Sequence, residues 1–224
     1  GDVLELGCGE GRGIDIILEK SKSYTAIDKI KSVIEMLSFK YKKNNFFTSN
    51  FPPLDKIKDN SFDTIISFQV IEHINDDKLF LSEIKRILRP GGIALITTPN
   101  IKMTLTRNPW HIREYTSKQL RGLCEKYFSS VEVNGISGNK KVIKYYNQNL
   151  DSVKRFKKLD VFNLEKHLPN FIYKIPYEIL NRINRNNLKR NDEKLVSSIT
   201  YKDYELVKDS PTNLDLFLVL RKNK

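Results

Sequence analysis

Residues 3–11 read Val3-Leu4-Glu5-Leu6-Gly7-Cys8-Gly9-Glu10-Gly11, an apolar run passing straight into a loop with glycine at every second position. A near-continuous apolar run of this length suits a strand buried on both faces, as in parallel sheets covered by helices. Glycines placed directly after it let the backbone approach a ligand that side chains would block. A helix beginning near Gly11 would aim its free N–H groups at the same spot. The pattern points to a nucleotide-like ligand at the mouth of the first strand.

Spacing narrows the ligand. A dinucleotide fingerprint needs glycines at the first, third and sixth positions. The sixth position from Gly7 is Arg12, and the glycines fall instead at 7, 9, 11 and 13. A phosphate loop would need Gly-Lys-Ser/Thr, which does not follow. Glu5 would be awkward beside a pyrophosphate; its carboxylate suits a ligand carrying a cationic amino group and a sulfonium.

Downstream, strand and helix patterns alternate, which argues for a doubly wound parallel sheet with helices on both faces. The expected strands are 2–6, 24–27, 45–48, 62–68, 93–97, 130–136 and 214–220. The expected helices are 13–20, 30–41, 76–88 and 117–127, the last opened by a capping box of Thr116 and Gln119. Arg89-Pro90-Gly91-Gly92 reads as a helix stop turning into the next strand. Alternation breaks over 138–213, which reads as a helical insertion before the last strand, within one domain spanning 1–224.

The charge is lopsided. Residues 1–100 carry equal numbers of acids and bases, so the whole net charge of +12 falls in residues 101–224. Because the bases there are mixed with acids rather than blocked, a general Lys/Asn bias explains them better than a dedicated nucleic-acid face. No stretch is apolar enough to span a membrane, and no signal-peptide pattern opens the chain. The two cysteines, Cys8 and Cys124, lack metal-type spacing, and a reducing, cytoplasmic setting is expected, with peripheral membrane contact as an option. The chain begins on its first strand, which suggests that an N-terminal helix often found over such a pocket is absent.

Four segments then agree in order and spacing. They are the Glu5–Gly11 loop, Tyr24-Thr25-Ala26-Ile27-Asp28, the run Phe62–Ile74 with Glu72-His73, and Leu88-Arg89-Pro90-Gly91-Gly92 before Ile93–Thr97. Together they resemble class I S-adenosylmethionine (SAM) dependent methyltransferases, on the branch that includes ubiquinone-biosynthesis O-methyltransferases. The resemblance implies a Rossmann-like seven-stranded sheet, mostly parallel with an antiparallel last strand. It implies SAM as cofactor and S-adenosylhomocysteine as product. Glu5, Gly7 and Cys8 would line the amino-acid end of SAM, with Gly9 and Gly11 allowing close backbone approach. Asp28 would hold the ribose, Lys29 and Ile30 would border the adenine, and Phe68 and Gln69 would sit near the transferring methyl. Asn50 stands where the family commonly has Asp against the adenine amino group, followed by Phe51; its amide oxygen can still accept.

A methyl acceptor needs orientation and, for a hydroxyl, loss of a proton. His73 and His111 are the candidate bases, since imidazole titrates near neutrality. Trp110, His111, Arg113 and Tyr115 crowd one loop after the fifth strand into a candidate acceptor wall. His167 reads as a surface residue. Glu72, His73 and His111 could in principle hold a cation, but ligands so scattered in sequence are poor evidence for one, and no metal is expected. The expected reaction is methyl transfer, at oxygen, to a small-molecule or lipid- or saccharide-linked acceptor. RNA methylation by the basic second half is the alternative.

Overall fold

In a computed structural model, which describes residues 1–159 and 168–224, the chain forms one eight-stranded sheet with helices on both faces. The first half runs β1 (Asp2–Leu6), α1 (Ile14–Leu18), β2 (Ser23–Asp28), α2 (Lys31–Lys40), β3 (Asn45–Thr48), β4 (Phe62–Phe68), α3 (Asp77–Ile87) and β5 (Leu88–Pro99). The second runs α4 (Ser117–Cys124), β6 (Ser130–Gly138), α5 (Lys140–Leu159), α6 (Asn170–Asn191), α7 (Glu193–Ser198), β7 (Tyr204–Lys208) and β8 (Asp215–Arg221). The strand order is β3-β2-β1-β4-β5-β8-β6-β7. Strands β1 to β5 are mutually parallel, and β8 runs antiparallel to both β5 and β6.

Side chains of successive strand residues go to opposite faces and build two cores. Leu4, Leu6, Ile27 and Ile65 join Phe80, Leu81, Ile84 and Ile87 of α3 and Leu120 and Cys124 of α4. Val3, Tyr24, Ala26 and Ile66 join Ile14 of α1 and Ile34 and Leu37 of α2. Helix α3 forms where it does because Asp76 caps it, accepting from Leu79 N at 2.8 Å, while its apolar residues recur at helical spacing on the buried side. Arg86 on the same helix donates to Glu83, Asp59 and the carbonyls of Leu54 and Ile57, clamping the β3–β4 connection. Helix α4 carries the expected capping box between Thr116 and Gln119.

The expected doubly wound sheet with an antiparallel last strand is present, but it has eight strands rather than seven. The additional strand, β7, lies inside the segment read as an insertion of helices and loops, and it pairs antiparallel with β6 over Asn134–Gly138. It is a short edge strand, exposed at nearly every residue, so it lacks the alternation that betrays a half-buried strand. The Arg89-Pro90-Gly91-Gly92 turn is likewise absorbed into a long β5, with an irregular register against β4 between Phe62 and Thr64.

The remainder of 138–213 is helical where it is described, with α5, α6 and α7 in mutual contact. Asp203 ties its two ends together, accepting from Asn139 Nδ2, Lys141 Nζ and Thr200 N. Helix α6 leaves Phe171, Ile175, Ile179 and Ile183 exposed at four-residue spacing, between 44% and 73% accessible. No helix among the described residues is long and apolar enough to cross a membrane. His167 lies outside the described residues.

Candidate active site

The strand order reverses between β1 and β4, and doubly wound sheets bind ligands in the crevice beyond the carboxyl ends of the strands at that point. The loop 7–11 occupies this crevice. Gly7, Gly9 and Gly11 all have positive φ, a backbone conformation that favours glycine. Their reasons differ. A Cβ on Gly11 would lie 2.6–2.7 Å from Leu37 and Ile14, so Gly11 serves internal packing and not the ligand approach expected of it. A Cβ on Gly9 would meet nothing within 4 Å, so at Gly9 the backbone faces open space.

Asp28 ends β2 beside that opening and is buried. Gly9 N donates to one of its carboxylate oxygens and Ile30 N to the other, each at 2.9 Å. Each oxygen keeps a further lone pair, so the carboxylate is aimed by backbone and can still accept from a diol. Lys29 is exposed beside it, Ile30 two residues on is an exposed apolar side chain, and Phe68 is another at the end of β4. These groups fit SAM: a paired-hydroxyl acceptor, an apolar surface for a flat base, and a bare backbone segment.

Glu5 departs from its expected place. It points into the core beneath the loop, where the Tyr24 hydroxyl donates to it. Burial pushes its carboxyl above the usual range, and the Asp28 charge adds to this. The Tyr24 hydroxyl is pushed up in turn, and burial takes the Cys8 thiol to about 12. Cys8 is therefore an inert buried thiol. Phe51 is also displaced from the expected cofactor wall: its ring stacks on Phe80 of the core, 6.0 Å between centroids. Asn50 is exposed at the loop before it.

On the other side of the crevice the tip of β4 is strained. Gln69 adopts φ +57, unusual for a residue with a side chain, and its N–H donates to Thr97 O at 2.9 Å. Its side-chain amide reaches Thr97 Oγ1 at 3.5 Å and also donates to Asp215 on β8. The chain then enters a short helical turn, Ile71–His73, that buries Glu72 almost completely. The loop after β5 is hung on this turn: Ile112 N donates to Glu72 O at 2.7 Å and Arg113 N to the same oxygen at 3.3 Å, while within the loop Asn108 accepts from Trp110 N at 3.0 Å.

That pinning brings the two candidate histidines together. Their rings meet edge to face, 4.9 Å between centroids and 79° apart. His73 Nδ1 contacts the Trp110 carbonyl at 2.9 Å, and His111 Nδ1 contacts Glu114 at 2.6 Å. Loss of water around part of the ring holds His73 below the ordinary imidazole value. Burial alone would raise the Glu114 carboxyl, but hydrogen bonds from His111 and Thr104 outweigh it and hold it below the usual range. Burial drives the Glu72 carboxyl upward. Among the described residues, Glu72, His73 and His111 thus form a cluster with potential ligand atoms within 4.8 Å of one another, the grouping that their scatter in sequence made poor evidence for a cation site.

The expected acceptor wall divides. Trp110 is half exposed, with the Lys174 ammonium of α6 3.9 Å above its ring, and His111 borders an open cavity of about 490 Å³ that also touches Thr104, Arg107 and Glu114. Arg113 also borders this cavity, whereas Tyr115 does not. Both bind Asp77 at the start of α3, and Tyr115 is buried in the core. They brace the loop. The supporting residues Thr98, Asn108, Glu114 and Asp215 escaped the sequence reading because no local pattern marks them. Asp215, for instance, arrives from the opposite end of the chain through the antiparallel pairing of β8.

Comparison with known proteins agrees with this geometry. Residues 4–96 match the family described as a methyltransferase domain. A probable S-adenosylmethionine-dependent methyltransferase of Mycolicibacterium smegmatis is 36% identical over 137 residues, 58% of this chain and 52% of that protein. A ubiquinone biosynthesis O-methyltransferase of Pelagibacter ubique is 33% identical over 101 residues, 44% of this chain and 42% of its own length. The chain spans about half the length of the curated relatives it matches. Among solved structures, a SAM-dependent methyltransferase from Archaeoglobus fulgidus shares the fold with a TM-score of 0.56 at 17% identity, over 99% of this chain and 86% of that one. A phosphoethanolamine N-methyltransferase from Haemonchus contortus in complex with SAM gives 0.58 at 19% identity, over all of this chain and 49% of that one. The region matched by the family contains Gly9 and Asp28, Glu72 and His73, but stops before the loop that carries His111.

Proposed function

We propose that the protein transfers a methyl group from SAM to an oxygen of a small-molecule or lipid- or saccharide-linked acceptor, releasing S-adenosylhomocysteine. The observation that carries the cofactor half is the Asp28 carboxylate, oriented by two backbone N–H groups beside the open backbone of Gly9. When bound, SAM supplies a methyl already activated on a sulfonium. The protein's remaining tasks are to orient the acceptor, keep water out and provide for its proton. Asp28 would accept from the ribose hydroxyls, with Ile30 against the base. Gln69, held at the β4 tip, would border the methyl. Activation of the acceptor falls to the Glu72–His73–His111 cluster, with Trp110 beside it. Oxygen as the target is supported by the names of the ubiquinone-biosynthesis relatives and by this cluster of proton-accepting groups.

A lipid-borne acceptor is supported by the exposed apolar row on α6, interleaved with Lys174, Arg182 and Arg185 as interfacial helices are. Flotation with anionic liposomes tests this; a chain that stays at the bottom of the gradient removes the membrane arm. RNA as acceptor is less well supported, since bases of the second half are drawn into pairs such as Lys141–Asp203, Lys144–Asp192 and Arg113–Asp77. Calorimetric titration with S-adenosylhomocysteine tests the central reading. Saturable binding that Asp28→Ala weakens at least a hundredfold is expected, and absence of binding to the wild-type chain overturns it.

A further inference from the structure

Glu72, His73 and His111 each offer one potential ligand atom, and these atoms lie within 4.8 Å of one another. His73 Nδ1 faces a carbonyl oxygen, that of Trp110, which can only accept; Nδ1 therefore carries the proton and Nε2 the lone pair. His111 Nδ1 faces the carboxylate of Glu114, itself held in place by the Thr104 hydroxyl, so His111 Nε2 also keeps its lone pair. The Glu72 carboxylate is oriented by the Thr98 hydroxyl at 3.0 Å. A carbonyl behind one ring, a carboxylate behind the other and a hydroxyl behind the carboxylate are the outer partners that orient ligands in metal sites and raise their basicity. Asn108 Nδ2 now donates to His111 Nε2 at 2.8 Å, a single amide contact that a cation would replace.

Three atoms no more than 4.8 Å apart surround a centre about 2.8 Å or less from each, whereas zinc bonds to nitrogen and carboxylate oxygen are about 2.0–2.2 Å. Shifts of well under 1 Å close the site, and His73, the most exposed member, has room for one. Two imidazoles with one carboxylate are a poor match for Mg²⁺ and Ca²⁺, which take oxygen ligands, and a good one for zinc and its first-row neighbours. Three protein ligands leave coordination positions open, as in catalytic rather than structural sites.

We propose that Glu72, His73 and His111 bind one divalent transition-metal ion with zinc-like ligand preference at the acceptor side of the crevice. An acceptor oxygen would take one of the open positions, so this deepens the function proposed above and its catalytic meaning rests on that reading. A hydroxyl bound there would ionise near neutral pH, releasing its proton to water. The histidines would then act as ligands and not as bases. Glu114 is a positioning residue that acts through His111.

The experiment uses the full chain, stripped of metal by chelation and titrated with Co²⁺ in the absence of SAM. One Co²⁺ per chain is expected, with visible absorption bands of low-symmetry nitrogen and oxygen coordination. Zn²⁺ should displace it and Mg²⁺ should not. His111→Ala should abolish the visible spectrum, and Glu114→Gln should weaken Co²⁺ binding about 10–100-fold. S-adenosylhomocysteine affinity, measured on the same samples, should stay within twofold of wild type, which also reports that each variant is folded. A wild-type chain without stoichiometric Co²⁺ bands overturns the proposal, as does an unchanged spectrum in His111→Ala. Loss of S-adenosylhomocysteine binding by the wild-type chain, with the cobalt spectrum intact, would instead overturn the cofactor reading and leave the metal site standing.

Discussion

The two sides of the crevice are built by different means. On the cofactor side, Gly9, Asp28 and Ile30 are neighbours because β1 and β2 pair in parallel, and Asp28 is aimed by backbone N–H groups. On the acceptor side, Glu72, His73 and His111 meet because a loop after β5 hydrogen-bonds to the β4 tip, and their orientation comes from side chains. A backbone-built site varies little with the identity of the residues around it. A side-chain-built one can be re-specified by changing a loop, as a scaffold that holds its cofactor constant and exchanges acceptors would require.

Substitutions can break or sharpen that contrast. The largest effect should come from the core beneath both sides: Phe80→Ala removes a fully buried ring from α3 and should cost about 3–5 kcal/mol in urea unfolding. Next is Asp28→Ala, which deletes the acceptor for two backbone donors and for the ribose. It should weaken S-adenosylhomocysteine binding at least a hundredfold by calorimetry, taking charged hydrogen bonds at about 1.5–3 kcal/mol each.

A pair of glycine variants separates packing from ligand approach within one loop. Gly11→Ala drives a methyl into Leu37 and Ile14 and should cost roughly 1–3 kcal/mol of stability. Gly9→Ala meets open space, so it should cost about 1–2 kcal/mol for its backbone conformation while reducing cofactor affinity tenfold or more. Equal effects of the two on binding would erase the distinction drawn between them.

Acid should expose the Arg86 clamp on the β3–β4 connection. The Arg86 guanidinium holds the Glu83 carboxyl below its ordinary value of 4.5, so its folded pKa lies under its unfolded one. The stability it contributes is present above the unfolded value and is lost as pH falls through the folded one. Glu83→Gln should flatten the decline of stability below about pH 4.5 relative to wild type in pH-dependent urea unfolding. The smallest effect belongs to α6: Ile175→Ser and Ile179→Ser, both at exposed positions, should each change stability by no more than about 0.5 kcal/mol. A large loss there would show that the exposed row is packed against something in solution.

The legible part of the site was the part with local grammar. The glycine spacing, the acid ending β2, and the capping box of α4 are each written within a dozen residues, because strands, turns and caps are governed by neighbours in the chain. The misreadings follow from the same cause. Phe51 and Tyr115 look like ligand-facing aromatics in sequence, yet burial against Phe80 and a hydrogen bond to Asp77 decide where each ring goes. Glu5 has the residue type for a cationic ligand, but a cross-strand Tyr24 claims it.

By itself, then, the sequence determined the doubly wound sheet and the glycine loop at the mouth of its first strand, since hydrophobic period and turn chemistry act over short range, while the resemblance to methyltransferases pointed to SAM. Only the tertiary structure decided that β7 completes the sheet as an eighth strand, that Arg113 and Tyr115 serve Asp77, and that Glu72, His73 and His111 converge. Those outcomes depend on contacts between residues tens of positions apart. Burial and hydrogen-bond satisfaction select such contacts in three dimensions, and no spacing along the chain encodes them.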